Sequence, residues 1–208
     1  MNDSYSGYEI IGKVSDHNES YLAKIKGFID ASSETSTRCV ALRFDLRFPK
    51  TYTGDEQKCI SKFIDSLRAK LSAFEARKRK HNQRVYPNRL GYLWVRENAG
   101  EAHDHFHFVI TLNHDAFMSF GNLNSSCTNM ASRIHEAWIS SLSLADSQDG
   151  SGLVHYCKNG VYKLDRNAKT FREDYGRLFF RLSYLAKKKT KVGQKRAIGT
   201  SQVRRKEK

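Results

Sequence analysis

The sequence predicts an α+β fold, because strand and helix patterns follow each other along the 208 residues. Residues 38–48 alternate between two sets of side chains, with Val40, Leu42, Phe44 and Leu46 on one side, as in a half-buried strand. Residues 60–74 instead repeat apolar side chains at three- and four-residue spacing, which is typical of an amphipathic helix. The length suits one domain with a sizeable core and a tail.

The expected elements, after a short helix at 20–29, run strand, helix, strand, strand, helix, strand, helix. Their core is β-α-β-β-α-β, the arrangement of ferredoxin-like folds, and it predicts a mainly antiparallel sheet with helices on one face and a C-terminal helix. The expected ranges are a strand at 38–48, a helix from Thr53 to the basic stretch at 77–80, a strand pair at 90–97 and 102–112, a helix at 130–142, one or two strands at 153–164 around a hairpin-type turn at 158–160, and a helix at 170–188.

The predicted organisation has three parts. An N-terminal polar segment with a short helix covers residues 1–35, and the central domain covers residues 36–190. The segment 191–208 is a basic tail that is expected to be disordered, since basic residues far outnumber acidic ones in it.

The chain is strongly basic, with a formal net charge of +14. This excess predicts an anionic partner, either nucleic acid or an acidic membrane surface. No apolar run reaches the roughly 18 residues of a membrane span, and the N-terminus lacks the pattern of a secretory signal, so we expect a cytoplasmic protein that binds nucleic acid. The residues expected to contact DNA phosphates are Arg77, Lys78, Arg79, Lys80, Arg84, Lys188, Lys189 and Lys191. The alternative is a charged surface that only maintains solubility.

The most informative stretch is the predicted strand with His105 and His107, just after His103. Side chains two positions apart on a strand point the same way, so these two imidazoles can bind one metal ion. Mg²⁺ or Mn²⁺ would also need a carboxylate, because hard cations prefer oxygen ligands. Glu97, at the end of the neighbouring strand, is the first candidate and Asp45 the second, whereas His103 ranks lower because it lies close to the turn. The alternatives are surface histidines on an open sheet face and a Glu97 that only caps the turn.

The predicted C-terminal helix carries Tyr184, with Lys187 and Lys188 three and four residues further on and therefore on the same face. A phenol with a pKa of about 10 is a poor nucleophile at neutral pH. A nearby ammonium group or metal ion activates it by stabilising the phenolate, and lysine can also neutralise a transferring phosphodiester. The alternative for Tyr184 is a packing role, since Phe180 precedes it by four residues.

The cysteines are scattered, without a Cys-x-x-Cys pair: Cys39, Cys59, Cys127 and Cys157. They are interpreted as reduced thiols that mostly fill the core. A mixed Cys/His zinc site assembled in three dimensions is the less favoured alternative, because structural zinc ligands usually lie close together in sequence. The other histidines, including His155, stand alone and are interpreted as satisfied or exposed side chains. The absence of a Walker-type loop argues against an NTPase.

Three motifs together resemble those of HUH endonucleases, the rolling-circle replication initiators and relaxases. They are the strand from Ala41 to Phe48, the His105-Phe106-His107 strand and the Tyr184-Leu185-Ala186-Lys187 helix. More closely, the stretches Tyr92-Leu93-Trp94-Val95-Arg96-Glu97 and Arg181-Leu182-Ser183-Tyr184-Leu185-Ala186-Lys187 resemble the YagK/YfjJ-type prophage family, related to inovirus Gp2 replication proteins. The resemblance covers residues 38–190 and implies that 36–190 is an HUH-like endonuclease domain.

The resemblance implies metal-dependent nicking of one DNA strand. His105, His107 and Glu97 would bind Mg²⁺ or Mn²⁺, and Tyr184 would be the nucleophile with Lys187 as its neighbouring cation. The products would be a 5′-phosphotyrosine link and a free 3′-hydroxyl that can prime replication. The implied partners are single-stranded DNA or an origin hairpin and, in the absence of a helicase domain, a host helicase and polymerase. Two other hypotheses are a non-catalytic nucleic-acid-binding prophage protein and a protein with a structural metal site.

Overall fold

The structure is a computed structural model that describes residues 2–98, 103–123, 128–144, 152–188 and 197–201. Within these ranges the α+β class predicted from the sequence is confirmed. The elements in chain order are β1 (Ser4–Tyr5), β2 (Tyr8–Glu9), α1 (Glu19–Thr35), β3 (Arg38–Leu46), α2 (Glu56–Lys80), β4 (Gly91–Glu97), β5 (His105–Asn113), α3 (Met130–Ser141), β6 (Val154–Asp165), α4 (Phe171–Ser183) and β7 (Ile198–Thr200). Short 3-10 helices occupy Val14–Asp16 and Tyr184–Ala186.

The main sheet has five strands in the order β6-β3-β5-β4-β7, and every neighbouring pair is antiparallel. The succession β3-α2-β4-β5-α3-β6 is the β-α-β-β-α-β core expected from the sequence. The strands β1 and β2 form a separate small hairpin. No helix in the described part of the chain is both long enough and apolar enough to cross a membrane.

Helices cover both faces of the main sheet, so the prediction of helices on one face was wrong. Val40, Leu42 and Phe44 of β3 belong to a core shared with α2 and α3. Cys39 and Ala41, on the other face of the same strand, belong to a second core shared with α1 and α4. The small or polar side chains of the second face resemble a solvent-facing pattern in the sequence, although nearly the whole strand is buried.

The strand β6 is continuous, whereas the sequence predicted a hairpin-type turn at 158–160 as one possibility. Between the pairs Leu42↔Val161 and Phe44↔Tyr156 the register advances by two residues in β3 but by five in β6. Asn159 lies inside this irregularity with a positive φ of 57°, a conformation that asparagine tolerates better than most residues. The Asn-Gly signal therefore marks extra residues within one strand.

Residues 198–200 form the edge strand β7 against β4, so the prediction of disorder was wrong for this part of the tail. Ala197 and Ile198 are buried in an otherwise polar segment, and their apolar side chains give the segment a reason to dock on the sheet. The segments 189–196 and 202–208 lie outside the described residues.

Candidate functional site

Polar side chains gather at one end of the main sheet, on the face covered by α1 and α4. The register pairs Asp45 of β3 with His107 of β5 and with His155 of β6, and it pairs Glu97 of β4 with His105. Directly opposed residues of an antiparallel pair share a face. The strand order therefore brings ionisable groups from four strands into one cluster. Its members are Asp45, Glu97, His105, His107, His155 and Cys157.

His107 lies between two carboxylates. Its Nδ1 is 2.6 Å from Oδ1 of Asp45, and its Nε2 is 3.0 Å from Oε2 of Glu97. A neutral imidazole carries only one N–H, so donation to both carboxylates requires the protonated ring. Burial opposes this protonation, but the hydrogen bonds and charges of Asp45 and Glu97 raise the pKa of His107 above its ordinary value. In the metal-free protein the two carboxylates therefore favour the protonated form of His107, and a cation bound by His107 would take the place of one of its ring protons.

Asp45 is the central residue of this cluster. Its Oδ1 faces His107 and also lies 3.8 Å from a guanidinium nitrogen of Arg43. Burial would raise the pKa of Asp45, but the hydrogen bond from His107 and the charges of His107 and Arg43 lower it to about 2. Its other oxygen, Oδ2, lies 3.3 Å from Nδ1 of His155 and 3.7 Å from Sγ of Cys157. Asp45 therefore connects two groups of potential metal ligands.

The sequence-predicted metal ligands lie near one another at this end of the sheet. Glu97, His105 and His107 share one face with Asp45, the reserve ligand. His103 does not join them, because its ring nitrogens contact Glu56 and the carbonyl of Lys50. Carboxylates combined with imidazoles fit a divalent cation such as Mn²⁺, whereas Mg²⁺ relies more on the oxygen ligands.

Sequence reasoning missed His155 and Cys157 as members of the cluster. His155 was interpreted as an isolated histidine and Cys157 as a core thiol. Their spacing of two residues on a predicted strand was an available signal, because it places both side chains on one face. What the sequence lacked was the pairing of β6 with β3, which brings that face next to Asp45.

Tyr184 follows α4 directly and opens the 3-10 turn Tyr184–Ala186, so the predicted helix ends before it. Leu185 and Ala186 are buried in the core under α4, whereas Tyr184 is 40 % exposed. The ammonium group of Lys187 lies 5.2 Å from the centre of the Tyr184 ring. The turn therefore holds a solvent-accessible phenol beside a cation, on the same face of the sheet as the cluster.

The basic residues at the end of α2 lie far from this site. The N-terminal end of α2 is near the cluster's end of the sheet, where Glu56 contacts His103. Its 25 residues then span about 37 Å at 1.5 Å per residue, and Glu75 reaches Asn88 at the opposite end. Arg79 pairs with Glu75 there. The structure thus separates the predicted contacts 77–84 from the cluster.

Lys188 follows Tyr184 by four residues and donates from Nζ to the carbonyl of Ser15. Among the predicted nucleic-acid contacts that the structure describes, Lys188 is therefore the one that lies near the C-terminal end of α4. Lys189 and Lys191 fall outside the described residues.

Comparison with known proteins gives the chain a family. Residues 1–201 match the YagK/YfjJ C-terminal domain. The chain is 33% identical over 198 residues to the Escherichia coli K12 protein YagK, covering 90% of this chain and 94% of YagK. It is 30% identical over 195 residues to YfjJ of the same organism, covering 85% and 89%. Both relatives are described as uncharacterized. No solved structure matches the chain significantly. The chain therefore belongs to the YagK/YfjJ C-terminal domain family.

Proposed function

We propose that the protein is a metal-dependent endonuclease that nicks single-stranded DNA, related to HUH-type rolling-circle initiators and inovirus Gp2 replication proteins. One observation carries the proposal: the cluster of Asp45, Glu97 and His107 lies on the same sheet face as α4 and the exposed Tyr184. A nucleophile, a neighbouring cation and a group of metal-ligand side chains are the parts that this reaction needs.

The proposed reaction is a transesterification at phosphorus. The phenolic oxygen of Tyr184 forms a bond to phosphorus while the bond from phosphorus to the 3′ oxygen breaks. The phenol proton passes to solvent, and the 3′ oxygen takes up a proton to become a hydroxyl. The Lys187 ammonium, 5.2 Å from the ring centre, stabilises the developing phenolate.

The residues that would hold Mg²⁺ or Mn²⁺ are His105, His107 and Glu97, with Asp45 as a further carboxylate. A bound divalent cation supplies Lewis-acid polarisation of the phosphate oxygens. In the chain itself, Asp45 orients the His107 ring by accepting its Nδ1 hydrogen bond. Lys188, close to Tyr184, is suited to contact a neighbouring DNA phosphate.

The test is covalent capture of DNA. Purified protein is incubated with Mn²⁺ and a pool of 5′- and 3′-labelled single-stranded oligonucleotides that includes hairpins, and the products are separated under denaturing conditions. We expect a protein adduct that carries the DNA on the 3′ side of the nick, with release of a fragment ending in a 3′-hydroxyl. Tyr184→Phe should abolish the adduct, because the nucleophilic oxygen is removed.

Tyr86→Phe is the matched control, since Tyr86 lies beside Arg84 in the basic region outside the cluster. It should form the adduct at the wild-type level. An adduct that persists in Tyr184→Phe would rule out Tyr184 as the nucleophile. A folded wild-type protein that forms no adduct with any oligonucleotide of the pool would contradict the nicking activity itself.

A second candidate function is non-catalytic binding of nucleic acid. The separation of the basic end of α2 from the cluster favours it, because binding there would need neither the histidines nor Tyr184. This function predicts that His105→Ala and His107→Ala leave DNA affinity unchanged.

A further inference from the structure

We infer that Asp45, His155 and Cys157 form a binding site for a thiolate-preferring divalent cation, with Zn²⁺ as its best match. This site lies beside the one proposed for Mg²⁺ or Mn²⁺ and shares only Asp45 with it. The inference therefore does not depend on DNA nicking.

The potential ligand atoms of these three residues lie close together. One ligand atom from each of the three residues lies within 4.8 Å of the other two. Within the described ranges, this is the one group of three or more His, Cys, Asp or Glu side chains whose ligand atoms all lie that close together. The residues come from two paired strands, with Asp45 directly opposite His155, so the sheet holds the ligands in position.

The separations between the ligand atoms match the geometry of a zinc site. Ligand atoms at usual zinc bond lengths in a tetrahedron lie about 3.3 to 3.6 Å apart. The observed separations from Oδ2 of Asp45 are 3.3 Å to Nδ1 of His155 and 3.7 Å to Sγ of Cys157. Only small side-chain shifts would be needed to close the three ligands around an ion.

The chemistry of the three side chains also fits zinc. One carboxylate, one imidazole and one thiolate are a typical mixed ligand set for zinc, whereas the sulfur disfavours Mg²⁺. The side chain of His155 is 54 % exposed, so the site opens to solvent and leaves room for water as a fourth ligand.

Metal binding at this site is coupled to loss of the thiol proton. In the metal-free protein the Cys157 thiol faces the Asp45 carboxylate. A bound cation takes the place of the thiol proton, which is released to solvent, and the sulfur binds as thiolate.

The irregularity in β6 brings these ligands to their place. Because β6 contains an odd number of extra residues between Tyr156 and Val161, its alternation is reversed across this segment. Odd-numbered His155 and Cys157 thereby face the same side as even-numbered Tyr162 and Leu164. A regular strand continuing from Val161 would turn His155 and Cys157 to the opposite face.

The experiment uses Co²⁺ as a spectroscopic substitute for Zn²⁺. The full-length protein is treated with a chelator, freed of it and titrated with Co²⁺ alone under reducing conditions. We expect a near-ultraviolet thiolate-to-cobalt charge-transfer band that saturates at one equivalent and disappears when Zn²⁺ is added. Zn²⁺ should also raise the temperature of thermal unfolding.

Three variants locate the site. Cys157→Ser should remove the charge-transfer band, whereas Cys39→Ser, which changes another buried thiol of the same sheet face, should keep it. His155→Ala changes a half-exposed side chain and should weaken Co²⁺ binding about tenfold or more without unfolding the protein. Tyr184→Phe should bind Co²⁺ as the wild type does, so failure of nicking and failure of this site remain distinguishable.

A folded wild-type protein without a charge-transfer band would overturn the inference. So would a band that survives unchanged in Cys157→Ser, because the thiolate would then come from another cysteine. If Cys157→Ser does not fold, unaltered Co²⁺ affinity in His155→Ala has the same consequence.

Discussion

At the scale of single residues, the site depends on Asp45. Its two carboxylate oxygens face different neighbours: Oδ1 accepts from His107, and Oδ2 faces His155 and Cys157. Arg43, whose Nε is buried and has no hydrogen-bond partner among the described residues, lies beside it. Asp45 is therefore the counter-charge of Arg43 and shares His107 with Glu97, so its removal would leave Arg43 without this ion-pair partner.

Asp45→Asn should lower the free energy of unfolding by about 3 kcal/mol, because breaking a buried charge pair leaves the partner unpaired. The measurement is urea unfolding of metal-free protein followed by circular dichroism. Asp115→Asn is the control: it breaks a partly exposed pair with Arg38 at 2.8 Å and should change stability by about 1 kcal/mol or less. Equal losses in the two variants would show that Asp45 has no special structural role.

At the scale of elements, the irregular segment of β6 determines which side chains reach the site. Gly160 lies close to the backbone of both β3 and β6: a Cβ added there would lie 2.6 Å from the carbonyl oxygen of Arg43 and 2.8 Å from that of Cys157. Both contacts are with backbone atoms, which cannot move aside as a flexible side chain can. The glycine is therefore needed for the close approach of β6 to β3.

Gly160→Ala should destabilise the protein by about 1–3 kcal/mol, the usual range for forced overpacking, and it should weaken Co²⁺ binding through the displaced Cys157. Urea unfolding and the cobalt titration measure these effects. Gly27→Ala is the matched control, because nothing lies within 4 Å of a Cβ at this position in α1. That variant should be neutral or more stable by about 0.5–1 kcal/mol. A Gly160→Ala protein as stable as Gly27→Ala would refute the close-packing argument.

At the scale of the whole molecule, the basic end of α2 is separated from the cluster of potential metal ligands. The formal net charge is +14, and a basic stretch ends α2 at the end of the sheet away from the cluster. The cluster itself pairs its cations with Asp45 and Glu97. Sequence-independent affinity for DNA is therefore expected at the end of α2, whereas metal-dependent chemistry is expected at the cluster.

The salt dependence of DNA binding tests this separation. Affinity for a single-stranded oligonucleotide should fall with salt, and the double variant Arg77→Gln with Lys80→Gln should reduce the slope of log K against log salt by about 1.4, or 0.7 for each lost phosphate contact. The control is Lys24→Gln with Lys169→Gln, which removes the same charge elsewhere on the exposed surface. Identical slopes in the two double variants would mean that the end of α2 makes no special contact with DNA.

Local patterns predicted most elements of the fold. The alternation in β3 and the apolar stripe of α2 depend on the chain's own periodicity, so they were predicted correctly. The extra residues of β6 were not predicted, because an Asn-Gly pair also occurs in hairpins. The docking of β7 was not predicted either, because three buried or half-buried residues in a basic tail give a weak signal. The two-sided burial of the sheet was missed for a similar reason: Ala41 and Cys39 resemble surface positions until α1 and α4 pack on them.

The sequence by itself determined the fold class, the order of the core elements and the common direction of His105 and His107, since each depends on neighbours a few positions away. The tertiary structure decided the composition of the site. Asp45 meets His107 across 62 residues and His155 across 110, because β3 lies between β5 and β6 in the sheet. Strand order and register arise from long-range pairing, and a shift of one residue would turn these side chains to the other face.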